Sequence, residues 1–325
     1  MNIPTQHRFR TVLPTLMTAG LVTVAVLTAM SSSAGIQGSG FRSMLAIGTV
    51  TEPSNGNSNT IVVGGTPYSI SEAVFKIDGH RGTPGQIHAG DVVSVIATDP
   101  ADGGAASATQ VIFYGSVQGK ASGIDVPSST LFVLGQTVHV TSQTVFGSSF
   151  EAAGLLGVQS GDVVEVSGFA NSVGELVATR IEARGQSNVS RVVGSVLTLN
   201  QSRHTFYVNS LKIDYGSAQV DAVLTDSAPV TAQGVKFAAD GALIANLVRG
   251  SRAVHGQPGS IGRIQGLITS YSSSAYFEVD GQPVSVGAQT KLSLPVPIGV
   301  DVEVNVTGTF DTNGVLVADS VQSSK

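Results

Sequence analysis

Cysteine is absent from all 325 residues, which excludes a disulfide framework, a thiolate metal site and a cysteine nucleophile. Its absence near the apolar start also excludes attachment through a lipidated cysteine. Tryptophan is absent too, aromatic residues make up 6% of the chain, and charged residues 12%, against about 25% in an average soluble domain. The 17 Lys+Arg are outnumbered by 22 Asp+Glu. A nucleic-acid surface needs basic patches interleaved with stacking aromatics, so no nucleic-acid partner is expected. No G-x-S-x-G, H-E-x-x-H or Walker-type stretch occurs, and the catalytic chemistries those motifs support are not indicated.

What the chain has instead is glycine, 39 of them, with many valine, threonine and serine residues and 42% hydrophobic content. That composition suits short twisted strands and tight turns, and predicts an all-β protein able to bury cores. One pattern organises it. Val163 to Gly168, followed after five residues by Gly174 to Ile181, reads V-x-V-x-G-(5)-G-x-L-x-A-x-x-I, two runs of period 2 joined by a Gly-bounded loop. This is a hairpin signal. It returns at Val302 to Val321, less regularly at Val230 to Val248, and at Val93 to Val111, where Thr98 is read as standing in for the first glycine.

A second hairpin precedes each of these, seen in Thr60 to Ile70, Thr130 to Val140 and Tyr276 to Val286, with Ser210 replacing the turn glycine in the third copy. Adding an opening Gly-x-Val-type strand gives five strands in about 70 to 75 residues. Alternating faces in so short a unit suit a small closed barrel, because closure hides the strand edges. The expected architecture is four tandem small antiparallel β-barrel (OB-like) units over 44–115, 116–185, 186–250 (divergent) and 261–325. Residues 251–260 read as a flexible hinge, and a bridge such as Gln143 to Gln159 leaves room for one helical turn.

Residues 1–34 read as a signal peptide: His7, Arg8 and Arg10, then an uncharged run from Thr11 to Met30, then Ser32-Ser33-Ala34, with 35–43 as a linker. Cleavage leaves 15 Lys+Arg against 22 Asp+Glu, a net charge of −7. An uncleaved segment of that length is the one route to a membrane partner. Either outcome places the rest outside the cytoplasm, in the periplasm or beyond the cell.

The four hairpins, each with its Gly-x-Val strand and V-x-G-x-x-V hairpin, resemble the bacterial exported repeats catalogued as domain of unknown function family 5666. The resemblance spans nearly all of 44–322 and implies export, tandem barrel-like units, and neither assigned chemistry nor cofactor.

Polar residues are densest at Asp78-Gly79-His80-Arg81 with His88 and Asp91. His80, His88 and Asp91 are the candidate metal ligands, although their spacing fits no established ligand motif. Asp162 and Glu165 lie three apart, so on a strand they face opposite sides, and the expectation is a solvated strand face rather than an acid-base pair. Asp99 to Gly103 and Asp311 to Gly314 read as hairpin turns, since they lack the calcium-loop ligand ladder. Gly168, Gly234 and Gly308 recur at one position, where the expectation is a backbone that needs positive φ or close approach, the alternative being a glycine merely tolerated in a loop. The functional expectation is an exported, non-catalytic binding or structural module of the cell envelope, with an envelope glycan or protein as partner and its ligand surface in the variable loops. The competing expectation is an envelope polymer-acting enzyme centred on His80, His88 and Asp91.

Overall fold

The computed structural model describes residues 41–54, 58–100, 105–185, 187–250, 256–294 and 297–324. The signal segment 1–34 and residues 35–40 of the linker lie outside the described residues, as do 251–255 of the hinge. The fold is all-β. Apart from two single turns of 3-10 helix, at Pro84–Gln86 and Gly154–Gly157, the described secondary structure is strand. The second of these turns falls within the bridge between the two hairpins.

The first set of strands is β1 (Phe41–Glu52), β2 (Thr60–Val63), β3 (Thr66–Ser69), β4 (Val74–Ile77), β5 (His80–Gly82), β6 (Val92–Pro100) and β7 (Ala106–Phe113). β1 pairs antiparallel with β2 and with β6, β2 with β3, and β6 with β7, while β3 runs parallel to β7. The ring therefore closes in the order β1-β2-β3-β7-β6, with one parallel rung. β4 runs parallel to β7 as an extra strand, and β5 pairs with β4.

The second set is β8 (Val117–Asp125), β9 (Thr130–Val133), β10 (Gln136–His139), β11 (Val145–Phe146), β12 (Val163–Ala170) and β13 (Leu176–Ala183). It closes identically, with β10 parallel to β13. The third comprises β14 (Ser190–Ser195), β15 (Leu197–Asn200), β16 (Thr205–Val208), β17 (Leu211–Asp214), β18 (Gln219–Asp221), β19 (Pro229–Phe237) and β20 (Leu243–Gly250). There β14 and β15 are two halves of one strand broken at Val196, β14 pairing with β19 and β15 with β16. The fourth is β21 (Ile261–Ser273), β22 (Tyr276–Val279), β23 (Gln282–Ser293), β24 (Glu303–Phe310) and β25 (Leu316–Ser323), with β23 parallel to β25. These small closed barrels follow the OB-like order expected from the strand count.

Local chemistry explains the corners. The loops Gly64-Gly65, Leu134-Gly135 and Asp280-Gly281 have positive φ at both residues, the mirror-image turn whose twist matches a two-residue hairpin. Gly168 is different, because it does not have positive φ. It sits at a bulge where Ser167 pairs with Arg180 but Gly168 pairs with Ala178, so Thr179 is left over. A Cβ on Gly168 would stand 2.3 Å from the Val177 carbonyl oxygen. Gly234 and Gly308 occupy the same bulge, 2.3 Å and 2.1 Å from the Ile244 and Val317 oxygens by the same measure. In the first ring the bulge falls between Ile96 and Ala97, and Ala97 pairs with Ala108. The counterpart of Gly168 is therefore Ala97, one residue before the Thr98 read from the sequence. Close approach, not positive φ, is what selects glycine here.

The rings join in an order that the chain does not suggest. β1 pairs parallel with β21, Met44–Ile47 against Ile261–Ile264, so the first ring joins the fourth. β8 pairs with β14 through Val117 and Val192, both fully buried, so the second joins the third. Met44, Leu45 and Ala46 are buried in succession because Met44 and Ala46 enter the first ring's core while Leu45 enters the fourth's. A strand covered on both faces loses its alternation. Residues 256–260 are packed as well: a Cβ on Gly256 would collide with the Phe310 ring, and Gly259 N–H donates to the Phe310 carbonyl.

Two outcomes follow from this packing. Gly168→Val is expected to lower stability by about 1 to 3 kcal/mol through overpacking against the Val177 carbonyl, with Gly168→Ala costing less because Ala97 is accommodated at the same place. Urea unfolding of the whole chain measures both, and equal midpoints for wild type and valine variant would refute the close-approach account. Ending the chain after Gly250 uncovers Leu45 and the edge of β1, so the remainder is expected to self-associate. Size-exclusion chromatography reads this directly, and a well-behaved monomer with an unchanged melting temperature would contradict it.

Candidate functional site

His80 lies on the exposed β5, paired with Ile77. His88 and Asp91 flank the turn into β6, where His88 Nδ1 is 3.7 Å from Asp91 Oδ2 and 3.7 Å from Glu182 Oε2. Asp91 is 3% exposed, and its Oδ2 accepts the His88 backbone N–H at 2.8 Å. Its Oδ1 is 3.8 Å from Arg180 Nε. Asp162 makes the same turn in the second ring, accepting the Gln159 backbone N–H at 2.8 Å. The carbonyls of Asp91 and Asp162 accept from Val50 and Ala121 at equivalent points of the two rings. A role that recurs at equivalent positions belongs to the scaffold: each aspartate closes the turn that starts a strand. Among the described residues, no group of three or more His, Asp or Glu is placed to hold a metal ion.

The densest charge is elsewhere, at the junction of three rings. Glu165 is 4% exposed and Arg191 3%, so the solvated strand face expected for Glu165 is corrected to a buried ionic one. Arg191 Nη2 donates to Glu165 Oε2 at 2.7 Å, Arg184 donates to Glu165 Oε1, and Arg191 Nη1 lies 2.7 Å from Asp78 Oδ1. Thus the third ring's Arg191 spans Asp78 of the first and Glu165 of the second. Burial pushes the Glu165 carboxyl above the usual carboxylate range, and Arg184 and Arg191 oppose that rise. β12 is pleated as its sequence indicates, but its outer face lies under other rings, so Glu165 has no water to face. Polar bonds continue the seam, from Val92 N–H to Ser167 Oγ at 2.8 Å and from Ser172 N–H to Asp301 Oδ1 at 2.7 Å. This cluster has the paired geometry of a structural lock, with its acids committed to arginines.

The concave candidate is a groove of about 700 Å³ in the first ring, within the size range of small-ligand sites. Ile70, Ala73, Val74 and Phe75 supply its apolar part; Ser54, Ser71, Asn59 and Thr83 its polar part; and among the described residues Arg81 is the one charged residue lining it. The second ring treats the same stretch of chain differently. Its bridge from Val145 to Val158 drops Phe150, Leu155 and Val158 into the core. In the first ring β4 pairs with β7 as β11 does with β13, and Phe75 and Ile87 enter the core, but the chain then adds β5, and the space beside β5 is left open. Sequence reasoning singled out Arg81 within its polar cluster but not the groove, because β5, which walls it, has no counterpart among the described strands of the other rings.

With this geometry in place, the comparisons divide the rings. Two regions of the chain match a family model. They are residues 115–182 and 265–322, and the family is described as "Domain of unknown function (DUF5666)". The resemblance expected from the hairpin pattern is thereby found over the second ring and most of the fourth. The two DUF5666 regions both carry the turn glycine (Gly135, Gly281) and the bulge glycine (Gly168, Gly308), whereas the first ring has Ala97 and the third Ser210. No curated protein matches the chain. A solved structure titled "drosophila Unr CSD456" is similar at 16% identity, over 64% of this chain and 98% of that chain, with a TM-score of 0.19. At that score the likeness adds nothing to the strand order already described.

The junction has a measurable consequence. Glu165→Ala leaves Arg191 buried without its partner and is expected to cost about 3 to 5 kcal/mol, the scale for breaking one side of a buried ion pair. Glu165→Gln retains an acceptor oxygen and is expected to fall between the two. Chemical denaturation of all three chains decides it, and an alanine variant as stable as wild type would remove the lock.

Proposed function

We propose that this protein is an exported, non-catalytic binding module of the bacterial cell envelope, with the first-ring groove as its ligand surface. The observation that carries this reading is the groove itself: a concavity walled in part by β5, a strand with no counterpart among the described residues of the other rings, on a scaffold whose repeated positions are valine, alanine, glycine and turn residues. Repeated positions build the barrels, and recognition falls to what varies. Export is supported by the basic start and uncharged run of residues 1–34. The buried carboxylates Asp91 and Glu165 are engaged in turn and ion-pair roles, which supports binding over acid-base catalysis.

The test is retention of envelope components on the immobilised chain, using solubilised cell-wall glycans in one arm and envelope protein extract in the other. Val74→Trp places a large side chain at the groove and is expected to weaken retention at least tenfold without changing the melting temperature. Retention unaffected by Val74→Trp would move the ligand surface away from the groove.

A further inference from the structure

The groove is bordered by an unused strand edge. Among the described residues β5 ends the strand order of its sheet and pairs only with β4. The loop between them, Asp78-Gly79, has positive φ at both residues, 53° and 86°. A two-residue turn of this kind makes Ile77 and His80 the hydrogen-bonded pair that closes the hairpin. The next pair in an antiparallel ladder is then the non-hydrogen-bonded kind, and that pair is Lys76 and Arg81. The backbone N–H and C=O of Arg81 therefore point away from β4, toward the free edge. Its side chain is exposed and forms no ion pair among the described residues.

Building on the binding reading above, we infer that the groove takes an extended, acidic peptide segment of a partner protein. The segment adds as a strand to the free edge of β5, with a carboxylate set against Arg81. Each element of the site matches part of such a ligand. The outward N–H and C=O of Arg81 pair with a peptide backbone, as strand addition requires. The planar guanidinium of the exposed Arg81 suits bidentate contact with a carboxylate. A sugar is served less well. Among the described residues Phe75 is the only aromatic one lining the groove and is 4% exposed, so they offer no ring face for a pyranose to stack on.

The experiment titrates the whole exported chain with three probes, read by fluorescence anisotropy: a labelled hexapeptide of alternating valine and aspartate, its valine-lysine counterpart, and a labelled chitooligosaccharide. The valine-aspartate peptide is expected to bind, and the other two to bind at least tenfold more weakly. Arg81→Glu reverses the charge and leaves the ladder intact. Arg81→Pro removes the outward N–H, a change that edge strands tolerate when that group is not paired. Each is expected to weaken peptide binding at least tenfold with the melting temperature unchanged. Should the proline variant fail to fold, a valine-aspartate peptide N-methylated on alternate amides makes the same test from the ligand side.

Peptide binding that ignores both the Arg81 changes and N-methylation would overturn strand addition. Binding of the oligosaccharide in place of the peptide, abolished by Val74→Trp, would overturn the peptide while leaving the groove as the ligand surface. Absence of binding by every probe would count against the peptide assignment, with the envelope-extract retention assay then deciding the groove on its own.

Discussion

Everything in this fold depends on bending one strand in each ring. Five short strands can hide their edges only by closing, and closure requires the fourth ring strand to turn sharply against the fifth. The chain does this with a bulge at one place in every ring, between Ile96 and Ala97, Ser167 and Gly168, Gln233 and Gly234, and Thr307 and Gly308. At three of the four, the carbonyl across the bulge comes so near that a Cβ is excluded without movement. The valines that precede the bulge point inward, Val164 and Val166 in the second ring and Val304 and Val306 in the fourth, each buried almost completely. Closure, twist and core filling thus follow from one irregularity.

Rings this small have little interior, and they compensate by sharing surfaces. The first and fourth share a parallel strand pair, and a single core cluster runs through the second and third. Across the remaining seams the contacts are polar: Glu165 with Arg184 and Arg191, Arg191 with Asp78, and Asp301 with Ser172. Burying such charges costs desolvation that their attraction only offsets, so their value lies in geometry more than in net stability. A guanidinium that must meet Asp78 and Glu165 at once accepts few orientations of three rings. A greasy contact of equal area would accept many.

Most of the scaffold was legible because a half-buried strand writes its pleat into the sequence. Val-x-Val alternation and the glycines of two-residue turns gave the hairpins, and the resemblance held for 115–182 and 265–322. What stayed hidden was set by contacts beyond a single ring. Glu165 reads as polar on an outer face, and nothing local to β12 says that another ring covers that face. Placing Thr98 opposite Gly168 missed by one residue because an alanine at a bulge looks like any small residue in a strand. Asp91 looked like part of a ligand cluster because it neighbours two histidines in sequence, whereas its equivalence to Asp162 appears only when the carbonyls of both are seen accepting from the same ring position. Repetition of a polar residue is informative once the structural register is known.

The same logic separates scaffold from recognition in the first ring. Its stretch between β3 and β6 is free of the bulge and of the ring closure, so it can change without opening the barrel. The second ring uses the corresponding stretch to add Phe150, Leu155 and Val158 to its core; the first adds Phe75 and Ile87 to its own and also builds β5, whose outer edge is unpaired among the described residues. An unpaired edge is a hazard, since it invites association with any extended chain. Here the edge is only three residues long, carries Arg81 at its centre, and borders a groove of mixed polarity. Shortness and charge are the usual means of blunting an edge, and they also make one selective: a strand of matching length with an acid at the right residue is accepted, while a longer apolar one finds neither enough rungs nor a counter-charge.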